Sequence, residues 1–216
     1  MIYCISDIHG ELDRFKQMLD LIQFSENDHL YILGDAIDRG PHGIQVLQLI
    51  MNSPNMTMIM GNHEQMCLYS LEPYCDSTMQ RMWKMNGGKM TFGELTVIRP
   101  ADEVREILSF IQFLPDHLEI TVNGRDYYLV HGLPASGNHG RIWGRPDDLY
   151  ECTLEGKTAI IGHTPVWYLS HEEFEPFKIW HGKGYIDIDC GCGGRSQYRR
   201  LGCLRLDDMK EFYVEL

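Results

Sequence analysis

The sequence predicts an α/β fold, a two-sheet β-sandwich flanked by helices, and three observations carry that expectation. Short apolar runs recur in the first half, each stopped by glycine and followed by a helical pattern, as in a parallel sheet with crossover helices. The second half has strand-sized apolar runs and tight turns, Asn123-Gly124 being the clearest. The 216 residues and 44% hydrophobic content suffice for a full core and exclude a disordered chain. No internal repeat, low-complexity tract or linker interrupts the chain, so residues 1–216 read as one domain.

The elements follow in order. Ile2-Tyr3-Cys4-Ile5 is the first strand and runs into Ser6-Asp7-Ile8-His9-Gly10. Leu12, Phe15, Leu19 and Ile22 then fall at helical spacing. Leu30-Tyr31-Ile32-Leu33 is the second strand, ending in Gly34-Asp35-Ala36-Ile37-Asp38-Arg39-Gly40, with Ile44, Leu47 and Ile50 marking the next helix. Met56-Thr57-Met58-Ile59-Met60 is the third and runs into Gly61-Asn62-His63-Glu64, with helix expected over 64–71. Residues 74–100, methionine-rich and broken by Asn86-Gly87-Gly88, are expected to form a helical cap. Val104, Ile107, Leu108 and Ile111 trace another amphipathic helix, closed by Pro115. Residues 118–122 and 127–130 flank the hairpin turn, and further strands are expected at 158–161, 185–189, 202–206 and 212–214. This half is expected to be mostly antiparallel.

Composition narrows the partners. A net charge of −12 and a pI near 5.2 argue against a nucleic-acid surface and against anionic membranes. They leave an anionic substrate open, because bound cations reverse the field inside a site. Met1 leads directly into the first strand and the seven cysteines are odd in number, so free thiols in a reducing cytoplasm are expected. Cys190-Gly191-Cys192 lacks the two-residue gap of the usual zinc or redox pair. No run approaches the roughly 20 apolar residues of a membrane span.

The chemistry sits at the strand ends. Besides the first three motifs, the strand at 127–130 ends in His131-Gly132 and that at 158–161 in Gly162-His163-Thr164-Pro165. Ligands of α/β proteins gather at carboxyl ends of strands. Asp7, His9, Asp35, Asn62, His131 and His163 form a mixed oxygen and imidazole set, with Asp35 central and able to bridge. Such a set suits two divalent cations, manganese, iron or zinc rather than calcium. Two cations about 3.5–4 Å apart can share a hydroxide and clamp the oxygens of an in-line phosphoryl displacement. Singly, each motif could be a salt-bridged turn or a helix cap. Five in one order at strand ends are not explained that way.

These motifs resemble the phosphoprotein phosphatase family of calcineurin-like metallophosphoesterases, most closely its small bacterial and phage members. The family pattern reads GDxHG, GDxVDRG, GNHE, a later strand-end histidine, and GH. Here the counterparts are SDIHG, GDAIDRG, GNHEQM, HGLP and GHTP, spanning residues 2 to about 194. The resemblance implies that Asp7 and His9 hold the first metal, Asn62, His131 and His163 the second, and Asp35 bridges. It makes His63 the general acid toward the leaving oxygen, with Asp38 orienting it, and Arg39 and Arg145 the phosphate clamps. Ser6 replaces the family's first glycine and Ile37 its valine. The aromatic C-terminal segment of the eukaryotic enzymes is absent, and only Tyr198 is a conceivable substitute for its tyrosine. Trp83 to Gly88 resembles a phage-type segment without an assigned chemistry.

The leading expectation is a serine/threonine protein phosphatase: a phosphomonoester hydrolase using a metal-bridging hydroxide, acting on a phosphorylated protein or small phosphoester. The rival within the class is the symmetrical diadenosine tetraphosphate hydrolase, which typically lacks the aspartate before the arginine and ends its third motif in aspartate. Asp38 and Glu64 favour the phosphatase. A non-catalytic binding scaffold would need a broken ligand, and none is broken. The other histidines (29, 42, 117, 139, 171 and 181) read as surface or loop residues, and Arg195, Arg199 and Arg200 as a solvated turn, with a substrate-contact role as the alternative.

Overall fold

The computed structural model describes residues 1–72 and 74–215. Strand β1 (Ile2–Ile5) leads to helix α1 (Leu12–Leu21), β2 (His29–Ile32) to α2 (Gly43–Met51), and β3 (Met56–Met58) to α3 (Asn62–Ser70). β1 pairs parallel with β2 (Cys4 opposite Tyr31) and β2 parallel with β3 (Tyr31 opposite Thr57). The expected cap is helical: α4 (Ser77–Trp83), a π-helical turn at Lys84–Gly88, α5 (Lys89–Gly93), a second π turn at Glu94–Ile98, and α6 (Ala101–Gln112). A hairpin of β4 (His117–Val122) and β5 (Arg125–Val130) follows. Its turn residues Asn123 and Gly124 have φ of 50° and 74°, the primed geometry that the Asn-Gly pair favours. Then come α7 (Asn138–Trp143), β6 (Lys157–Ile161), α8 (Trp167–Ser170), β7 (Trp180–His181), β8 (Tyr185–Asp187), β9 (Arg200–Arg205) and β10 (Lys210–Glu215).

The sheets run β10-β9-β1-β2-β3 and β4-β5-β6-β8-β7. The second half is antiparallel in most of its pairings, as expected, with β4 on β5, β7 on β8 and β9 on both β1 and β10, but its sheet is mixed. β5 pairs parallel with β6, and β6 parallel with β8, leaving only β4 and β7 antiparallel at the edges. The connections from β5 to β6 and β6 to β8 are long enough to cross over, so the parallel arrangement is open to them. A hairpin signal sees only the turn beside it. β9 and β10 do not join that sheet either: β9 lies antiparallel beside β1, so both ends of the chain meet in one sheet.

Strand alternation assigns the layers. In β1 and β2, Tyr3, Ile5, Leu30 and Ile32 pack under Phe15, Met18, Ile44 and Leu47 of the helices. Cys4 and Leu33 face the other way, meeting Leu129, Ile160, Ile186 and Leu204 between the sheets. Tyr128, Val130, Ala159 and Ile161 bury the outer face of the second sheet with Leu169 of α8. Met58, Met60 and Met66 fill the core, and the described cysteines are all free thiols. α7, α8 and β7 are too short for a periodicity to announce. No helix is long and apolar enough to cross a membrane, among the described residues. The carboxyl ends of β1, β2, β3, β5 and β6 open on one edge of the sandwich, where the functional side chains meet.

Candidate active site

The loops leaving these strands are laced together by their backbones. The N–H groups of Asp7, His9 and Gly10 donate to the carbonyls of Gly34, Asp35 and Ala36 at 3.2, 2.9 and 2.9 Å. Gly162 N–H donates to His131 O at 2.9 Å. Gly34 has φ +87°, and a Cβ there would stand 2.6 Å from Gly61 Cα, so the second and third loops can touch only through glycine. Six site residues other than glycine also have left-handed φ: Asp7, His9, Asp35, Asp38, Arg39 and His163.

Glu64 ties the same loops from beneath. Its Oε1 accepts from the N–H groups of Ala36 and Ile37 at 2.9 and 3.3 Å, and its Oε2 from Asp35 and Gly61 at 2.8 and 3.2 Å. The bond from Gly61 is also why α3 begins at Asn62 rather than two residues later: glutamate at the third helical position closes the first turn. Burial, with the Asp35 charge behind it, pushes the Glu64 carboxyl up to about 7. This bracket went unread in the sequence, where Glu64 served only to separate two families.

All six expected donors come together and all are buried. His9 Nε2 lies 3.7 Å from Asp7 Oδ1 and 3.6 Å from Asp35 Oδ2. His131 Nε2 lies 3.4 Å from Asp35 Oδ1 and 3.0 Å from Asn62 Oδ1. The His163 ring is 5.0 Å from that of His131, and its backbone N–H donates to Asp7 Oδ2 at 3.0 Å. Ser6 Oγ also donates to that oxygen, so the serine adds a support that glycine lacks. His9 Nδ1 faces Ile37 O at 3.1 Å and His131 Nδ1 faces Leu33 O at 2.6 Å. Carbonyls there hold a proton on Nδ1 and turn Nε2 toward the carboxylates. His9 Nε2 is buried without a hydrogen-bond partner, as a nitrogen reserved for another ligand would be. Asp35 lies in both groups of donor atoms able to hold an ion, with His9 and His63 and with His131 and His163.

The electrostatics say the same. Burial raises the Asp7 carboxyl, and the Asp35 charge adds to it against the pull of His131. Burial opposes ionisation of Asp35 too, yet His131 and His63 hold it well below the ordinary carboxylate range. Burial also opposes a charged His131, but Asp35 above all lifts it to about 10. Burial and His131 push His163 down to about 2. The buried Asp35 thus draws on His131 and His63 for positive charge, the demand that cations meet.

Beside the donors stands an acid pair. His63 Nδ1 is 2.7 Å from Asp38 Oδ2, and the backbone N–H of His63 donates to Asp35 Oδ1 at 3.0 Å. Burial disfavours its charged form, while Asp35 and Asp38 raise it above the ordinary value. Its Nε2 looks toward Arg39 Nη2 at 3.2 Å. Arg145 Nη1 donates to His163 O at 2.9 Å. Both arginines line a cavity of about 840 Å³ that adjoins the donors, with Trp167, Tyr168, Phe177 and Arg195 among its walls. Arg195 is exposed and also lines this cavity, the alternative left open for the cluster, while Arg200 pairs with Glu215. Tyr198 packs with the inter-sheet core. Asp187 and Asp189, also missed, are buried carboxyls beside the site, raised by burial and by neighbouring carboxylates.

Comparison with known proteins agrees with the fold and extends it. A family model described as calcineurin-like phosphoesterase matches residues 1–187. The chain is 29% identical over 210 residues to serine/threonine-protein phosphatase 2 of Escherichia coli (strain K12), covering 93% of this chain and 92% of the relative. It is 50% identical to the symmetrical bis(5'-nucleosyl)-tetraphosphatase of Wigglesworthia glossinidia brevipalpis, but over 64 residues only, 29% of this chain and 24% of that one. The crystal structure of a metallophosphoesterase from Sphaerobacter thermophilus shares the fold at TM-score 0.61 and 20% identity, covering 99% of this chain and 88% of that one.

Proposed function

This chain belongs to the calcineurin-like phosphoesterase family and is a metallophosphoesterase, and we propose that it is a phosphatase acting on phosphoserine and phosphothreonine in proteins. One observation carries the reading: the buried Asp38–His63 pair, 2.7 Å apart, beside the cavity. A proton donor is most useful against a poor leaving group such as a serine or threonine alkoxide. Cleaving the phosphoanhydride of a dinucleoside tetraphosphate releases a phosphate-type oxygen, which leaves readily without one. The near full-length sequence likeness to the E. coli phosphatase supports the same choice, while the sequence likeness to the symmetrical tetraphosphatases covers at most about half of this chain in the relatives compared, 29% and 52% of it in two of them.

In this reading residues 1–216 are one catalytic domain, supported by β1 and β9 pairing across the length of the chain. Asp7, His9 and Asp35 would hold one divalent cation and Asp35, Asn62, His131 and His163 a second. The orphaned His9 Nε2 and the buried carboxylates fit that assignment. Manganese is the proposed metal, with iron and zinc as the alternatives this donor set admits. When bound, the cations supply an activated water and offset phosphoryl charge. The chain's own residues do the rest. Arg39 and Arg145 grip the phosphoryl oxygens with planar guanidinium forks. Arg145 is held for this by His163 O. His63 gives its Nε2 proton to the leaving oxygen, and Asp38 steadies the imidazolium through Nδ1. The free thiols suit a reducing compartment, and on that ground we place this chemistry in the cytoplasm, on phosphorylated proteins.

The test is an activity panel on the manganese-loaded protein: a phosphoserine peptide, a phosphotyrosine peptide and diadenosine tetraphosphate. The phosphoserine peptide is expected to turn over with the highest kcat/KM. Faster cleavage of diadenosine tetraphosphate overturns the assignment in favour of the tetraphosphatase.

A further inference from the structure

We propose that Trp83 is a positioning residue for the acid pair, reaching it from the helical cap through its indole N–H. Trp83 closes α4 and is wholly buried. Its Nε1 donates to Asp38 Oδ2 at 2.6 Å, the same oxygen that faces His63 Nδ1 at 2.7 Å. Two short bonds to one carboxylate oxygen fix it from two sides. An indole nitrogen only donates, so it meets Asp38 Oδ2 as an acceptor and in one orientation. The other oxygen, Asp38 Oδ1, is buried without a partner, which leaves the shared Oδ2 as the anchor of the side chain.

The segment behind Trp83 is built around that contact. A Cβ on Gly88 would fall inside van der Waals contact of the indole nitrogen, and Phe92 meets the indole edge-on at 6.0 Å. Gly87, with φ +109° in the π-helical turn, accepts the Arg39 N–H at 3.2 Å. A Cβ at Gly87 would press on Arg39 Cγ at 2.7 Å. Residues 83–88 thus reach Asp38 and Arg39, two neighbours in one loop, from a cap segment that supplies none of the proposed metal donors. A tryptophan that only filled volume would not need a buried N–H aimed at a carboxylate oxygen. The inference rests on reading His63 as the acid.

The test measures kcat and KM on a phosphoserine peptide and on para-nitrophenyl phosphate, whose phenolate leaves with little help. In Trp83→Phe the ratio of kcat on the peptide to kcat on the aryl ester is expected to fall roughly tenfold, a part of the 10²–10⁴ that a positioned acid supplies. KM should hold for both substrates. In an Asp38→Asn background the same substitution should move the ratio no further. Equal losses on both substrates mean that Trp83 is structural only, and overturn the inference. Should Trp83→Phe fail to fold, Gly88→Ala crowds the indole and must lower the ratio in the same direction; an unchanged ratio there also overturns it. His63→Asn separates the two levels: a ratio that falls there but not in Trp83→Phe refutes the positioning role alone, and one unmoved in both refutes the acid assignment beneath it.

Discussion

Gly34→Ala is the substitution whose cost can be read most directly from the geometry. The residue sits at φ +87°, where an L side chain is strained by about 1–2 kcal/mol. The added methyl would meet Gly61 Cα at 2.6 Å, Gly61 N at 2.7 Å and His131 Nδ1 at 2.9 Å. Two of the three are backbone and cannot swing aside, so an overpacking cost of roughly 1–3 kcal/mol adds to the strain. The sum, about 2–5 kcal/mol, corresponds to a fall in Tm of roughly 5–20 °C for a chain of this size. The assay is thermal unfolding followed by circular dichroism, in chelator and again in excess manganese. The strain should lower both transitions. Moving the third loop away should also shrink the rise in Tm that manganese gives the parent protein, because a ligand stabilises only as far as it binds. A Tm within about 2 °C of the parent, with the manganese increment intact, would show that the two loops are not in the contact described.

The remaining expectations are brief. Exhaustive chelation should abolish turnover and manganese should restore it, with two ions per chain by elemental analysis; full activity after verified metal removal contradicts the ligand set. Asp35→Asn should reduce metal content and kcat more than Asn62→Asp, since Asp35 lies within 3.6 Å of His9 and 3.4 Å of His131 and serves both donor groups. Arg39→Ala and Arg145→Ala should raise KM on phosphoserine peptide and aryl ester alike, as loss of a phosphate grip predicts; a loss confined to one substrate would give the arginines a different role.

How much of this could be read before folding depends on how far each signal reaches along the chain. Asp7, Asp35, Asn62, His131 and His163 each follow directly on an apolar strand, so the local pattern was enough to gather them at one edge. The hairpin at Asn123-Gly124 was equally plain because its cause lies in two residues. The parallel pairing of β5, β6 and β8 was not, because it is decided by crossovers whose course no short run records. Glu64 and Trp83 escaped for a related reason. Their partners, at 35–37 and at 38, are brought near by the tertiary fold, and a carboxylate or an indole carries no mark of which distant group it will meet. Arg195 was legible as a charge but not as part of a cavity wall, since Trp167 and Phe177 complete that wall from elsewhere.

Six of the site's side chains hang from backbone that twists the wrong way for an L-residue, at Asp7, His9, Asp35, Asp38, Arg39 and His163. Each such position costs on the order of 1 kcal/mol or more, so the site as a whole consumes a sum comparable to the net stability of an ordinary domain. Glycine would relax every one of them and abolish what each contributes. An engineer seeking a hardier version of this protein is therefore barred from its largest reserve and must look to the surfaces of the outer helices. A lineage drifting under selection for ruggedness alone would be drawn to those same six codons first, and would part with its chemistry before its fold.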